Sequence, residues 1–139
     1  MRQTSTEFQV RTPGRTMIDF SHEVVDWVRK TGIREGLLTL HVRHTSASLI
    51  VQENADPEVR RDFERFFERL VPQGDRLFRH TCEGPDDMPA HVRSALTATT
   101  LSIPVVDGRP ALGTWQGVYL YEHRDAPHSR SVVAHLLGE

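Results

Sequence analysis

Apolar and polar residues alternate in several short segments of the chain, and this pattern is typical of β-strands. The first such segment, Thr4 to Val10, has a strict period of two, whereas Leu37 to Val42 is an almost continuous apolar run. Both patterns fit strands that are buried on one or both faces. The predicted strands are 4–10, 37–42, 47–51, 101–106, 115–122 and 131–137.

Three segments with helical spacing of apolar residues lie between these strands. The first helix is predicted to begin at Asp19 or Ser21 and to end at Gly32, a favourable left-handed C-terminal residue. Asp56-Pro57 marks the start of the second helix, and Met88-Pro89-Ala90 opens a short third one. The predicted core faces are Phe20, Val24, Trp27 and Val28, then Val59, Phe63, Phe66, Phe67 and Leu70, then Val92 and Leu96.

The order of these elements predicts the fold class. Strands and helices do not alternate regularly, and Asp107-Gly108 is a turn dipeptide suited to a hairpin near the C-terminus. We therefore expect one compact α+β domain over residues 1–139, with a mixed or antiparallel sheet and about three helices.

Composition restricts the class of partner and the compartment. The chain has 17 basic and 19 acidic residues, so no strongly basic surface is expected for nucleic acid or an anionic membrane. No apolar run approaches the ~18 residues of a membrane span. Cys82 is the only cysteine, which excludes an intrachain disulfide and fits a reducing cytoplasm.

The stretch from His44 to Asp62 follows an apolar strand and includes the helix start at Asp56-Pro57. Between the strand and this helix start it concentrates polar side chains: an imidazole, three hydroxyls, the carboxamides of Gln52 and Asn54, and two acids. Such a concentration indicates that the side chains converge on a ligand.

Three histidines are placed at predicted element ends: His44, His80 and His91. Three imidazoles with an open fourth position form the ligand set of a catalytic zinc-type site. Their spacing matches no short metal motif, so independent surface or capping histidines remain the alternative.

Other residues are candidates for catalysis or substrate binding. Glu53 has no evident structural task and is the candidate base, whereas Asp56 is explained by helix capping. Gln116 lies between two glycines and could reach a ligand. Arg124 and Arg130 suit phosphate recognition, with ordinary surface ion pairing as the alternative.

Four motifs resemble the YjbQ family. They are His44-Thr45-Ser46-Ala47, Glu53-Asn54-Ala55-Asp56-Pro57, Ala90-His91-Val92 and Gly113-Thr114-Trp115-Gln116. They occur in the order and spacing of that family, and the likeness extends over roughly residues 5 to 137. The family's Gly-Pro-Arg loop is replaced here by 125–130, which leaves the role of this loop open.

The resemblance implies a homotrimer with a site near a subunit interface. It also implies a secondary thiamine-phosphate synthase activity, which joins a pyrimidine diphosphate to a thiazole phosphate and releases pyrophosphate. On this basis His44, His80 and His91 are expected to hold a divalent metal, zinc or magnesium, or the phosphate itself. His44, Glu53 and His91 are the expected catalytic residues. The residues expected to bind the phosphorylated substrate are Thr45, Ser46, Asn54, Asp56, Gln116, Arg124 and Arg130.

Two other classes of function remain open from the sequence. A non-catalytic trimer would bind a phosphometabolite or a metal and would need no base, so Glu53 would point away from the histidines. A metal-dependent hydrolase would use the histidines to activate water.

Overall fold

Two antiparallel sheets and three helices make up the computed structural model, which describes residues 1–139. The helices are α1 (Ser21–Thr31), α2 (Pro57–Leu70) and α3 (Asp87–Leu96). The strands are β1 (Arg2–Thr12), β2 (Thr16–Asp19), β3 (Gly36–Val42), β4 (Ala47–Glu53), β5 (Thr100–Val106), β6 (Arg109–Pro110), β7 (Gln116–Glu122) and β8 (His128–Gly138).

The strands are distributed over a larger and a smaller sheet. The five-stranded sheet has the order β1-β8-β3-β5-β6, and the three-stranded sheet has the order β2-β7-β4. Every strand pair is antiparallel. The predicted α+β class with a single compact domain is therefore confirmed.

The main hydrophobic core joins both sheets and α1. Strand β3 contributes Leu38 and Leu40, strand β7 contributes Val118 and Leu120, and α1 contributes Val24. These side chains are fully buried, and each contributes about 1.5–3 kcal/mol by leaving water.

The opposite face of β7 packs in a second, smaller cluster. Tyr119 and Tyr121 alternate with the core residues of β7 and contact Phe67 and Val71 at the end of α2. The three-stranded sheet is therefore covered on both faces, which explains why almost every residue of β7 is buried.

The predicted element ends agree with the structure where a residue imposes the geometry. Gly32 ends α1 with a φ of 74°, and the side chain of Asp56 accepts the backbone N–H of Glu58 at the start of α2. Asp107 and Gly108 both have positive φ in the turn between β5 and β6, as a type I′ hairpin requires.

Some predicted core positions are wrong. Phe66 is 48% exposed, Leu70 53% and Leu96 56%. In α2 only Phe67 is fully buried, because the helix covers a sheet of three short strands and its apolar stripe is wider than this contact. None of the three helices has the length and apolarity needed to cross a lipid bilayer.

Candidate metal site

His80, Asp87 and His91 come together at the start of α3. Asp87 is the first residue of the helix, and His91 follows one turn later on the same face. His80 reaches the same carboxylate from the preceding loop. The Oδ2 atom of Asp87 lies 2.7 Å from Nε2 of His80 and 3.1 Å from Nε2 of His91. All three potential ligand atoms lie within 4.8 Å of one another.

The ring of His91 is oriented by a backbone carbonyl. Its Nδ1 lies 2.9 Å from the carbonyl oxygen of Thr45, which can only accept a hydrogen bond. Nδ1 therefore carries the proton, and in the neutral tautomer Nε2 presents its lone pair to Asp87. Nε2 and the carboxylate oxygen therefore form a pair of acceptors that can ligate one cation. A carbonyl that holds the distal ring nitrogen is the arrangement found around metal-ligating histidines.

The carboxylate of Asp87 is buried and held by an arginine. Its Oδ1 accepts a hydrogen bond from Nη1 of Arg124 at 2.8 Å. The same guanidinium donates to Asp86 and to the carbonyl oxygen of Glu83, each at 2.9 Å. Burial alone would raise the pKa of Asp87, but the hydrogen bond from His80 and the charges of His91 and Arg124 hold it below its usual value. Asp87 is therefore ionised at neutral pH and can act as a ligand for a cation.

One side of the cluster is open to solvent. The side chain of His80 is 41% exposed and that of His91 30%, whereas that of Asp87 is only 2% exposed. A cleft of about 200 Å³ beside His80 is lined by Phe78 and Met88 among others. The arrangement can therefore admit a water molecule or an oxygen atom of a ligand next to a bound ion.

His44 does not belong to this cluster. Its Nε2 accepts the backbone N–H of Ser131 at 2.8 Å, which ties the end of β3 to β8. Burial, assisted by the charge of Arg130, lowers the pKa of His44, so the neutral ring required of an acceptor is favoured. The predicted meeting of three imidazoles is corrected to two imidazoles and one carboxylate. The missed ligand had a sequence signal, since Asp87 precedes His91 by one helical turn.

The two arginines expected at a phosphate are already paired. Arg124 is held by Asp86 and Asp87. Arg130 is buried, and its Nε donates to Glu122 at 2.8 Å while its Nη2 donates to the hydroxyl of Ser46 at 3.0 Å. Both ion pairs are largely buried, unlike the surface pairs considered as the alternative, and a phosphate contact of either arginine stays a prediction.

Three further candidates close local turns. The Oε2 atom of Glu53 accepts the backbone N–H groups of Ala55 and Asp56 at 3.1 and 3.0 Å. Asp56 caps α2, and Gln116 accepts the N–H of Gly113 at 2.8 Å. Their polar atoms organise the loops around β4 and β7, and Glu53 has no contact with the histidine pair.

The remaining candidates lie in different environments. Ser46 is buried beside Arg130. Thr45 is exposed and contributes its carbonyl oxygen to the site. Asn54 is exposed at the end of β4 and its backbone N–H bonds to Trp115. Of this group only Thr45 reaches the cluster.

The two-sheet fold and the cluster at the start of α3 define a small α+β protein with a two-histidine, one-aspartate site. Residues 6–139 match the family model described as UPF0047 protein YjbQ-like, and the chain belongs to this family.

Relatives match over nearly the whole chain. The UPF0047 protein sll1880 of Synechocystis sp. is 52% identical over 138 residues, which is 99% of this chain and 94% of the relative. The crystal structure of a hypothetical protein from Aeropyrum pernix K1 has a TM-score of 0.88, with 32% identity over 98% of this chain and 99% of the other. An uncharacterised conserved protein of the family from Clostridium acetobutylicum has a TM-score of 0.86, with 31% identity over 95% and 99%.

The resemblance to the YjbQ family is thus confirmed, but the activity derived from it is corrected. The matching family is a UPF0047 family of unknown function, and the names of these relatives specify no reaction. None of these names supports thiamine-phosphate synthesis, so the expected activity is withdrawn.

Proposed function

We propose that this protein binds one divalent transition metal ion, of the zinc type, through His80, Asp87 and His91. The observation that supports it most directly is the convergence of three ligand atoms within 4.8 Å of one another. The carbonyl of Thr45 adds support, because it leaves Nε2 of His91 free to ligate.

The donor set distinguishes between the two metals expected from the sequence. Imidazole suits zinc, iron, copper and nickel, whereas magnesium prefers an octahedron of oxygen ligands. Two imidazoles and one carboxylate therefore favour a zinc-type ion over magnesium. The same set also suits ferrous iron, so the metal is identified by measurement.

The residues of the site have separable tasks. His80 and His91 would bind the ion, and Asp87 would both bind it and offset its charge. Arg124 keeps Asp87 in place through the second carboxylate oxygen. When bound, the metal would supply a Lewis acid for an oxygen ligand on the exposed side. Glu53 accepts two local backbone N–H groups and has no contact with the histidines, which favours binding over base catalysis.

We retain the homotrimer as a proposal. Large apolar side chains that are exposed in one chain support association, among them Leu77 at 79% and Trp115 at 63% exposure. Sedimentation velocity on the purified protein tests this, and a mass of one chain would exclude it. A cytoplasmic location also remains a proposal, supported by the exposed free thiol of Cys82.

Elemental analysis after incubation with zinc, iron(II) or magnesium tests the metal site. The wild type is expected to retain about one zinc-type ion per chain after desalting, and His91→Ala and Asp87→Asn are expected to lose it. His44→Ala discriminates between the sequence-based and the structure-based ligand sets, and His41→Ala is a control at an exposed histidine. Equal metal content in the wild type and Asp87→Asn, or a loss in His44→Ala alone, would contradict the proposal.

A further inference from the structure

Arginines surround a second cleft that shares no residue with the metal cluster. The cleft has a volume of about 270 Å³ and lies between the β1–β2 turn, the beginning of α2 and strand β7. Arg15 enters it from the turn, Arg60 and Arg61 from the first turns of α2, and Tyr121 from β7. Three arginines from two elements therefore line one small cleft.

Arg60 has no acidic partner. Its Nη1 donates to the phenolic oxygen of Tyr119 at 3.1 Å, and its guanidinium carbon lies 5.8 Å from the centre of the same ring. Both contacts are neutral, so they position the guanidinium without compensating its charge. Arg61 is paired with Glu58 at the exposed surface of the helix. Arg60 is consequently the guanidinium of the cleft that is available to an anion.

A buried arginine behind the cleft adds to the positive charge. Arg93 is 1% exposed, and its Nε and Nη1 atoms have no hydrogen-bond partner. Its Nη2 donates to the carbonyl oxygen of Val71 at 3.3 Å. Burial, followed by the charge of Arg15, lowers the pKa of Arg93, and Glu64 acts in the opposite direction. A buried cation without a direct carboxylate partner is costly, and an anion nearby would reduce this cost.

The acidic residues of this region are paired with only two of its four arginines. Arg15 is bound by Glu64 and Glu68, and Arg61 is paired with Glu58. Arg60 and Arg93 have no carboxylate within ion-pair distance, so no direct partner compensates their charges.

We propose that this cleft binds the phosphate group of a small phosphorylated molecule, with Arg60 as the principal contact and Arg15 and Arg61 beside it. A guanidinium fork matches the oxygen atoms of phosphate, and several forks together suit a dianion better than a single carboxylate. The volume is below the usual ~300–1,000 Å³ of drug-sized ligand pockets, so the ligand is small.

Neutralising Glu64 is expected to strengthen phosphate binding, whereas removing the charge of Arg60 weakens it. Glu64 lines the cleft and forms an ion pair with Arg15. Burial raises the pKa of Glu64, although the charge of Arg15 opposes this. Glu64 therefore occupies Nε of a guanidinium that a phosphate would use. Its neutral replacement frees this edge of Arg15, while Glu68 stays bound to Nη2.

Isothermal titration calorimetry measures the binding of inorganic phosphate and of methyl phosphate. The protein is metal-free and kept in a phosphate-free buffer that contains chloride. We expect saturable binding in the wild type and at least ten-fold weaker binding in Arg60→Gln. Glu64→Gln is expected to bind several-fold more tightly, which a merely structural role would not produce. Arg69→Gln, an exposed arginine later in α2, is the matched control and should bind like the wild type.

Three results would overturn the proposal. They are no saturable phosphate binding by the wild type, equal weakening in Arg60→Gln and Arg69→Gln, or acetate binding as tightly as phosphate. If Arg60→Gln unfolds at a lower temperature than the wild type, Arg61→Gln, at an exposed position, is used in its place. Arg61→Gln should bind phosphate at least three-fold more weakly than the wild type. Because the titration uses metal-free protein, failure here does not affect the metal proposal.

Discussion

The carboxylate of Asp87 connects two parts of the candidate site with different tasks. One oxygen atom faces His80 and His91, and the other accepts a hydrogen bond from Arg124. Metal ligands are commonly held in this way by a neighbouring side chain, and loss of that support typically costs ten- to a hundred-fold in affinity. Arg124 is therefore expected to govern metal affinity without touching the ion.

We predict that Arg124→Gln weakens zinc binding by about ten- to a hundred-fold. Competition with a chromophoric chelator measures the affinity, and urea unfolding of the metal-free protein measures the separate cost of leaving Asp86 and Asp87 without a cation. The zinc affinity of Arg124→Lys should lie between those of the wild type and Arg124→Gln, because lysine keeps the positive charge but lacks the two-pronged guanidinium. An unchanged zinc affinity in folded Arg124→Gln would exclude the positioning role.

Arg130 has a structural task of its own. It is buried and paired with Glu122, whose side chain has no exposure. Burial alone would raise the pKa of Glu122, but hydrogen bonds from Arg130 and Thr12 keep it below its usual value. We predict that Arg130→Met lowers the free energy of unfolding by about 3–5 kcal/mol, because a buried carboxylate loses its partner. Urea unfolding measures this loss. Adding Glu122→Gln to Arg130→Met should recover part of the lost stability, because the unpaired charge is removed. No recovery in the double variant would argue against a pairing effect.

Local sequence patterns predict which side chains share a face of one helix, but they do not predict partners that are set by tertiary pairing. The pattern predicts His91 on the short helix α3, and the spacing of four residues indicates that Asp87 shares its face. That His44 turns to the backbone of β8, and that Arg130 pairs with Glu122 inside the protein, depends on strands that are distant in sequence. These partners are set by sheet topology, which local patterns do not contain.

At the scale of elements, the start of α2 depends on the capping side chain of Asp56. We predict that Asp56→Ala lowers the free energy of unfolding by about 1 kcal/mol, because the N–H of Glu58 loses its side-chain acceptor. Asp56→Asn should retain most of the stability, and neither variant should alter metal content. Thermal unfolding measures the first effect, with Asp62→Ala on the exposed face as control. A loss of bound metal in Asp56→Ala would instead indicate a direct role at the site.

Helix ends and turns that a single residue specifies are predictable from the sequence, whereas strand ends such as those of β8 differ by up to three residues. Asp56, Gly32 and Asp107-Gly108 each impose a local backbone geometry, so their effect can be inferred without the fold. The exposed Phe66 and Leu70 could not be identified in this way. Their burial depends on the width of the sheet beneath α2, and that sheet includes the short strand β2, which has no strong sequence pattern.

At the scale of the whole molecule, the three-stranded sheet determines how the sites are arranged. Strand β7 separates the main core from the smaller cluster around Phe67. Its residues alternate between these two cores, so both faces of the strand are buried. The end of this strand also carries His123, a buried histidine with no role in either proposed site.

His123 makes the stability of the whole protein depend on pH. Burial, followed by the charge of Arg93, lowers its pKa from 6.5 to about 3, and its Nε2 lies 2.8 Å from the hydroxyl of Ser48. The unfolded chain takes up a proton below pH 6.5, whereas the folded chain does not until about pH 3, so stability is lost as the pH falls through this window.

We predict a loss of about 2 kcal/mol between pH 7.5 and pH 5 from His123 alone. Urea unfolding at the two pH values measures the total loss, and His123→Gln should reduce it by this amount even if its stability at pH 7.5 is lower. His22→Gln removes an exposed histidine and should leave the pH dependence unchanged. If His123→Gln and the wild type lose equal stability, the acid sensitivity belongs to other groups and His123 must be able to take up a proton in the folded protein.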